Sequence, residues 1–218
     1  MTFRAVSILK EADYVLAEDT RVSRKLLDHY DINVPVLAYH DFNKEKVTPS
    51  LLEKLKSGED LALITDAGTP GVADPAYNLV KAAIENGIKV VPVPGASAIL
   101  AALVASGMPT DRFIFENFLP HKSSQRIRLF ESLKNEPRTV IFYETPHRII
   151  KVLKEMEEVL GNVKVVIARE LTKMYEEFLR GSPEQLSKHF QTTPPRGEMV
   201  MLLNTRFRTE QPQAEESH

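Results

Sequence analysis

Short apolar runs alternate with helical patterns over the first half of the chain. Apolar positions three and four residues apart predict helices, and short continuous apolar runs predict buried strands. The pattern predicts strands over residues 14–17, 35–40, 61–65 and 88–93, with helices over 2–12, 20–30, 47–57, 75–86 and 98–106. Alternation of strand and helix is typical of a parallel sheet with helices on its faces. The first half is therefore predicted to be an α/β domain.

Two of these strands end in turns that contain glycine and proline, and each turn opens a helix. The first turn covers residues 66–75 and the second residues 94–98. Glycine lets a ligand lie against the backbone, and the following helix N-terminus offers unpaired N–H groups. One such turn would be only a tight turn, but two adjacent ones favour a small-molecule cleft. Neither turn is a dinucleotide fingerprint or a P-loop, so a nicotinamide or nucleoside-triphosphate site is poorly supported.

Beyond residues 107–111 the pattern changes. Strands are predicted over residues 113–116, 139–143, 163–168, 175–180 and 198–203, and two of them follow each other without a helix. A strand pair of that kind indicates antiparallel neighbours and hence a mixed sheet. We therefore predict an N-terminal α/β domain over 1–108, a C-terminal mixed α/β domain over 112–204, and a frayed polar tail over 205–218. The expected ligand site is the cleft between the two domains.

The net charge, the cysteine content and the length of the apolar runs exclude several classes of protein. The chain has 218 residues and a net charge of −2, so no global basic field holds naked nucleic acid. It contains no cysteine, which excludes disulfides and thiolate metal sites, and we predict no metal site. No apolar run is long enough to cross a bilayer and no signal peptide opens the chain, so we expect a cytoplasmic protein without membrane contact.

A polar cluster follows the strand predicted over 14–17. Glu18, Asp19 and Arg21 stand where active sites lie in parallel sheets, at the carboxyl end of a strand. Acidic residues before a helix also serve as a helix cap without any further function. Position alone leaves the two interpretations equal.

Six segments together resemble one known group of proteins. The segments are EDTR (18–21), TDAGTPGVADP (65–75), PGASA (94–98), FLP (118–120), YETPHR (143–148) and ARELTK (168–173). This series resembles the ribosomal RNA small subunit methyltransferase I group of the tetrapyrrole methylase superfamily, and the resemblance covers about residues 1–203 in order. The proline-glycine turn alone is shared across the superfamily, whereas the combination is specific.

The resemblance implies a two-domain tetrapyrrole-methylase-like α/β fold, with a mainly parallel N-terminal sheet and a mixed C-terminal sheet, in a homodimer. It implies an S-adenosylmethionine-dependent enzyme that methylates the ribose 2′-hydroxyl of a cytidine in small-subunit ribosomal RNA. The residues that would bind the cofactor by this resemblance are Gly68, Thr69, Pro70, Val72, Ser97, Ala98, Tyr143, Ala168 and Glu198.

Methyl transfer to a hydroxyl also needs a group that takes the proton. Our candidates are Glu18 or Asp19, with Arg21 binding phosphate; Arg169, Glu170 and Lys173 come second, and a structural Arg169–Glu170 ion pair is favoured over a catalytic role. RNA contacts are predicted at Arg126, Arg128, His147, Arg148 and Lys173. A solvated helix face is the favoured alternative for Arg126 and Arg128, and simple solvation is an equal alternative for His147 and Arg148.

The sequence also departs from the group. Members open with a strand and a glycine-proline loop of the kind GTPIGNL, and they continue past the last predicted strand into a helical region; both segments are absent here. Two alternatives therefore stay open. One is a methyltransferase of the same fold that acts on a tetrapyrrole or a protein, although those members usually carry Gly-Asp-Pro where this chain has Gly-Thr-Pro. The other is a truncated, non-catalytic dimeric binding protein.

Overall fold

The computed structural model describes residues 1–209 and divides into two compact units. The division lies between Ser97 and Ala98, rather than at the linker predicted over residues 107–111. The reason is the helix α5 (Ala98–Ser106), whose buried residues Ile99 and Leu103 pack in one cluster with residues of the second sheet. Helix α5 therefore belongs to the second unit.

The first unit carries three parallel strands and four helices. Its elements in chain order are α1 (Phe3–Glu11), β1 (Tyr14–Ala17), α2 (Thr20–His29), β2 (Val36–Ala38), α3 (Lys44–Lys56), β3 (Leu61–Leu63) and α4 (Ala76–Glu85). The strand order is β2-β1-β3, and both pairings are parallel. The fully parallel sheet confirms the prediction for this half. The carboxyl ends of all three strands consequently lie at one edge.

Successive residues of β1 face opposite sides of the sheet. Val15 packs in a cluster with Leu9 of α1 and Leu27 of α2, whereas Leu16 packs with Leu51 of α3 and Leu79 of α4. This alternation follows from the two-residue period of a strand. The sheet is thus covered by helices on both faces, as expected of parallel strands.

The strand predicted over residues 88–93 is wrong. These residues lie outside regular secondary structure, and within residues 1–209 no strand pairs with them. Val90 and Val91 are 42% and 48% exposed. Their apolar, β-branched composition matches a strand, but a strand also needs a hydrogen-bonding partner, which composition does not reveal.

The second unit is built on a mixed five-stranded sheet. Its elements after α5 are β4 (Phe113–Phe118), α6 (Ser123–Leu133), β5 (Thr139–Glu144), α7 (Ile149–Leu160), β6 (Val163–Arg169), β7 (Glu177–Gly181), α8 (Pro183–Thr192) and β8 (Met199–Arg208). The strand order is β4-β5-β8-β6-β7, in which only the β4–β5 pair is parallel. The predicted mixed sheet is confirmed, including the antiparallel β6–β7 pair.

Each face of this sheet has its own core. Phe142 and Val165 belong to the larger cluster, together with Phe130 of α6, Leu153 of α7 and Phe190 of α8. The opposite face packs against α5 in the smaller cluster described above. The second unit therefore has a helix layer on both sides of its sheet.

A buried ion pair joins α6 to α7. Arg126 is 2% exposed, and its Nε and Nη2 donate to both carboxylate oxygens of Glu155 at 2.6 and 2.8 Å. Its Nη1 donates to the carbonyls of Pro120 and His121, and Ser123 also donates to Glu155. Burial works to raise the pKa of Glu155, but the hydrogen bonds from Arg126 and Ser123 outweigh it and lower that pKa. The pair thus anchors the loop before α6.

We predict that Arg126→Leu lowers the free energy of unfolding by about 3–5 kcal/mol, because the Glu155 carboxylate would be left buried and unpaired. Urea unfolding followed by circular dichroism measures this. The matched control is Arg128→Leu, an exposed position on the same helix, which should change stability by less than about 0.5 kcal/mol. Equal effects of the two substitutions would contradict the assigned role of the pair.

The same pair predicts a pH dependence of stability. Because the folded-state pKa of Glu155 lies below its ordinary value of 4.5, the carboxylate stabilises the fold above that pH. This contribution is lost as the pH falls through the lowered pKa. Unfolding of Glu155→Gln should show a smaller loss of stability between about pH 5 and strong acid than unfolding of the unaltered chain.

Candidate active site

The two glycine-containing turns of the first unit lie against each other. The Thr69 hydroxyl of the first turn donates a hydrogen bond of 2.9 Å to the Ala96 carbonyl of the second. Ser97, the neighbour of Ala96 in sequence, is half-buried. A single hydrogen bond thus joins two segments that are 27 residues apart in the chain. The predicted proximity of the two turns is confirmed.

The backbone of these turns is open to a ligand. Gly68 and Gly71 have φ angles of 76° and 87°, which residues with side chains rarely adopt. A Cβ built at Gly68, Gly71 or Gly95 would meet no atom within 4 Å. The three glycines are exposed, so the main chain of both turns is accessible to a ligand.

Asp74 shapes the first turn. Both of its carboxylate oxygens accept from the Gly71 N–H, at 2.8 and 2.9 Å, and one also accepts from the Ala76 N–H at 2.8 Å. Helix α4 begins at Ala76, one residue later than predicted, with Pro75 before it. Ala73 is held at a φ of 64°, a strained value for a residue with a side chain. Pro75 is the N-cap residue of α4, and Asp74 closes the turn before it and accepts from the first N–H of the helix.

Acidic side chains gather at the carboxyl edge of the first sheet. Glu18 follows β1, Asp41 follows β2 and Asp66 follows β3. Partial burial raises the pKa of Glu18, and repulsion from Asp66, Asp74 and Asp41 raises it further. A carboxylate with a raised pKa is a stronger base at neutral pH than an ordinary one.

His40 also lies at this edge, and it was not among the predicted site residues. It lowers the pKa of Glu18, against the effect of the acids. Its Nδ1 is buried without a hydrogen-bond partner in the described part of the chain. A strand end followed by histidine is the only sequence signal that marks it.

Asp19 has a different environment from Glu18. It is the N-cap of α2 and accepts from the Arg21 backbone N–H at 2.9 Å. The Arg21 guanidinium donates to both of its oxygens, at 3.1 and 2.7 Å. Hydrogen bonds from Arg21 therefore hold the pKa of Asp19 far below its usual value. The capping interpretation fits Asp19, and the two predicted acids are not equivalent.

In the second unit, three predicted cofactor residues lie at one end of the sheet. Tyr143 and Ala168 both pair with Val200 of β8, and Glu198 immediately precedes that strand. Burial raises the pKa of Tyr143, and the nearby Glu198 raises it further. Ala168 is fully buried against α5. The sheet register thus brings these residues together, while their role in cofactor binding stays a prediction.

An aromatic group surrounds Tyr143. Its ring lies 4.9 Å from that of Phe115 and 5.3 Å from that of Phe118. A register shift in β4 and a φ of 63° at Asn117 place Phe118 beside it. This group was not predicted, because a bulge is set by the pairing of two strands rather than by local sequence.

The residues predicted to bind RNA separate into buried and exposed ones. Arg126 is wrong as an RNA contact, since it is buried and paired with Glu155. Arg148 donates to the fully buried Glu144 at 2.8 and 2.9 Å and to the Leu119 carbonyl, so its guanidinium is largely used within the fold. Arg128, His147 and Lys173 are exposed, and their RNA contacts stay predictions.

The second set of catalytic candidates is Arg169, Glu170 and Lys173. They form ion pairs, but Arg169 and Glu170 do not pair with each other. Arg169 donates to Glu177 of β7 at 2.5 Å, and Glu170 accepts from Lys173 at 2.8 Å. The predicted Arg169–Glu170 pair is therefore wrong, because the antiparallel register places Glu177 opposite Arg169. Glu170 instead lies against Gly197, where any Cβ would clash with its side chain.

Neither a metal centre nor a membrane-spanning helix is found between residues 1 and 209. No group of three or more His, Asp or Glu side chains in this range is arranged to hold a metal ion. The helices in the same range are too short or too polar to cross a bilayer.

Comparison with known proteins identifies the family. Residues 1–187 match the family model described as Tetrapyrrole (Corrin/Porphyrin) Methylases. A protein of Synechocystis sp. named ribosomal RNA small subunit methyltransferase I is 46% identical over 204 residues, which are 93% of this chain and 73% of that protein. The Thermotoga maritima protein of the same name is 42% identical over 94% of this chain and 91% of its own length.

A solved structure shows the same fold. Uroporphyrin-III C-methyl transferase from Thermus thermophilus, complexed with S-adenyl homocysteine, superposes with a TM-score of 0.60. It is 19% identical over 94% of this chain and 90% of that one. The family match, the relatives and the fold agree: the chain belongs to the tetrapyrrole methylase family, within the ribosomal RNA small subunit methyltransferase I group.

Proposed function

We propose that the chain transfers a methyl group from S-adenosylmethionine to the 2′-oxygen of a cytidine ribose in small-subunit ribosomal RNA. The relatives' names support an RNA substrate, and the structural neighbour with bound S-adenyl homocysteine supports the cofactor. The observation that carries the proposal is the Thr69–Ala96 hydrogen bond, which joins two open backbone turns into one surface.

The cofactor would lie on that surface. Gly68, Thr69 and Pro70 contribute the first turn with Val72, and Ser97 and Ala98 follow the second. The bound sulfonium supplies an activated methyl group, so the protein's task is to hold the acceptor oxygen in line with it. The assignment of Tyr143, Ala168 and Glu198 to the same cofactor is kept as a prediction.

Glu18 would take the proton of the ribose hydroxyl. As the new carbon–oxygen bond forms and the carbon–sulfur bond breaks, the hydroxyl proton passes to the Glu18 carboxylate. Glu18 fits this role better than Asp19, whose carboxylate is already held by Arg21. The proposal keeps Arg21, whose side chain is 88% exposed, as a contact for an RNA phosphate.

The remaining parts of the proposal concern the contacts with RNA, the oligomeric state and the location of the protein. We propose that Arg128, His147 and Lys173 contact RNA, since they are exposed and basic or polar. The proposal includes the predicted homodimer. It also includes the predicted cytoplasmic location, because assembled small subunits are cytoplasmic.

Methyl incorporation tests the reaction. Small subunits that lack the modification are incubated with the chain and radiolabelled S-adenosylmethionine, and the modified nucleotide is located by nuclease digestion. We expect label on one cytidine ribose. Label on a ribosomal protein, or on a tetrapyrrole supplied instead, would assign the alternative substrates, and binding of the cofactor without any transfer would indicate a non-catalytic protein.

We predict that Thr69→Val weakens cofactor binding about three- to tenfold, because the two turns lose the hydrogen bond that joins them. Calorimetric titration with S-adenosylmethionine measures the dissociation constant. Thr48→Val is the matched control, since its hydroxyl donates only to the Lys44 carbonyl within α3. A Thr69 variant that binds as tightly as the Thr48 variant would argue against a cofactor on these turns.

We predict that Glu18→Gln lowers kcat by about 10²–10⁴ and leaves KM for the small subunit within about threefold. The unaltered chain should lose activity as the pH falls through the pKa of Glu18, which lies above its ordinary value of 4.5, since the protonated acid accepts no proton. The residual activity of the variant should lack this pH dependence. Glu45→Gln, at an exposed position on α3, serves as the control. An unchanged pH profile in the Glu18 variant would remove Glu18 from the mechanism.

A further inference from the structure

A concave surface lies at the end of the second sheet opposite Tyr143. Its volume is about 290 Å³, close to the lower limit of small-molecule sites at roughly 300 Å³. It is lined by Asp111, Arg112, Arg138, Arg206 and Phe207, together with two prolines. We call this surface the arginine pocket. None of its residues belongs to the candidate active site.

Strand direction explains why these residues meet. Arg112 and Arg138 immediately precede the parallel strands β4 and β5, and Arg206 and Phe207 lie near the end of the antiparallel strand β8. The start of β5 and the end of β8 are neighbours in the sheet. Tyr143 is four residues further along β5, roughly 13 Å away at the rise of a strand.

The loops that form the pocket are fixed to the sheet. The Thr139 hydroxyl donates to the Pro109 carbonyl at 2.8 Å, and the Thr205 hydroxyl donates to the Glu136 carbonyl at 2.7 Å. Asn204, which is fully buried, donates to the Pro137 carbonyl at 3.4 Å. The pocket is therefore preformed, which lowers the entropic cost of binding.

Two of the three guanidinium groups are available. Arg138 donates to both oxygens of Glu136 at 2.7 and 2.9 Å, and these hydrogen bonds lower the pKa of Glu136 to about 2. Within residues 1–209, the side chains of Arg112 and Arg206 form neither an ion pair nor a hydrogen bond. Asp111 is the one acid in the lining. Arg112 is close enough to Glu136 to contribute to the lowering of the pKa of that carboxyl. Two exposed arginines within one concavity nevertheless suit the binding of phosphate.

An exposed aromatic ring completes the pocket. Phe207 is 45% exposed, although it is large and apolar. An aromatic ring beside arginines binds single-stranded nucleic acid by stacking on a base while the guanidinium groups contact the backbone. An acidic peptide would use the arginines but would gain little from the ring.

We infer that the arginine pocket is a second RNA site, which binds the phosphate backbone of a single-stranded segment with one base stacked on Phe207. This inference rests on the proposed function, because that function makes RNA the partner. The pocket would bind a segment of RNA other than the methylated nucleotide. It would thereby add affinity and orientation without taking part in the chemistry.

Binding of a labelled oligouridylate of about twelve nucleotides tests the inference, since it fits one single-strand site and lacks the proposed target base. Fluorescence anisotropy of the full chain is measured over a series of salt concentrations. The double variant Arg112→Gln/Arg206→Gln should weaken binding about tenfold. The slope of log K against log salt should become shallower by about 0.7 for each RNA phosphate that an arginine no longer neutralises.

Two further variants separate the parts of the pocket. Phe207→Ala should weaken binding about fivefold or more with an unchanged salt slope, because stacking is not ionic. Asp111→Asn should tighten binding, because it removes the acid that opposes the phosphate. The charge-matched control Arg4→Gln/Lys10→Gln, at exposed positions on α1, should bind as the unaltered chain does.

Equal binding by the arginine-pocket variant and the α1 control would overturn the inference. A second pair of results would also overturn it: polyglutamate competes as well as oligouridylate does, and Phe207→Ala has no effect on binding. The ligand of the pocket would then be an acidic peptide. Thermal unfolding of each variant shows whether it is folded, and the Asp111 variant tests the pocket by a gain of affinity that misfolding cannot produce.

The proposed function can fail independently. If the unaltered chain methylates no small subunit but the pocket variants bind oligouridylate weakly, the pocket is confirmed and the reaction is not. If it methylates the expected cytidine and the pocket variants bind normally, the reaction is confirmed and the pocket is wrong.

Discussion

Parallel pairing of three short strands is the constraint on which the candidate active site depends. Because β2, β1 and β3 run in one direction, the residues that follow them all emerge at one edge of the sheet. Glu18, Asp41 and Asp66 are far apart in the chain, but at that edge the two aspartates repel the Glu18 carboxylate. The raised pKa of Glu18 is therefore in part a consequence of topology. An isolated carboxylate in the same local sequence would have no such property.

The same topology explains why hydrogen bonds are needed to hold the two glycine-containing turns together. The turn after β3 is long, and Asp74 closes it locally by accepting from Gly71 and Ala76. The second turn has no strand before it that would hold it, since residues 88–93 are unpaired within the described chain. The Thr69 hydroxyl restrains it through the Ala96 carbonyl, and the Thr2 hydroxyl donates to the Pro94 carbonyl at 3.4 Å. A threonine at this position thus serves the geometry of the site, whereas an acid there would bring a charge instead of a donor to a backbone carbonyl.

Periodicity predicted most of the fold because the packing follows it. Val15 and Leu16 face opposite helix layers as a two-residue period requires, and the antiparallel β6–β7 pair follows from the absence of an intervening helix. The prediction at residues 88–93 failed because it used composition alone. Apolar, β-branched residues are frequent in strands, but their presence does not show that a partner strand exists.

The site was only partly predictable. The turns could be found because glycine, proline and strand ends are local signals, and the resemblance of six segments gave their order. The functions of individual arginines could not be found in this way. Arg126 and Arg128 are close together on one helix, yet the first is buried on Glu155 and the second is exposed. Which arginine meets a buried acid depends on residues 29 positions away, and local sequence does not contain that information.

The two ends of the second sheet carry different side chains. Tyr143 and Glu198 lie at one end, and Arg112, Arg138 and Arg206 lie at the other, roughly 13 Å away along β5 at the rise of a strand. This separation matters in a chain whose net charge is −2, because overall charge gives no attraction to RNA. Any attraction must come from local patches of positive charge, and within the second unit the arginine pocket is such a patch, at the end of the sheet opposite Tyr143.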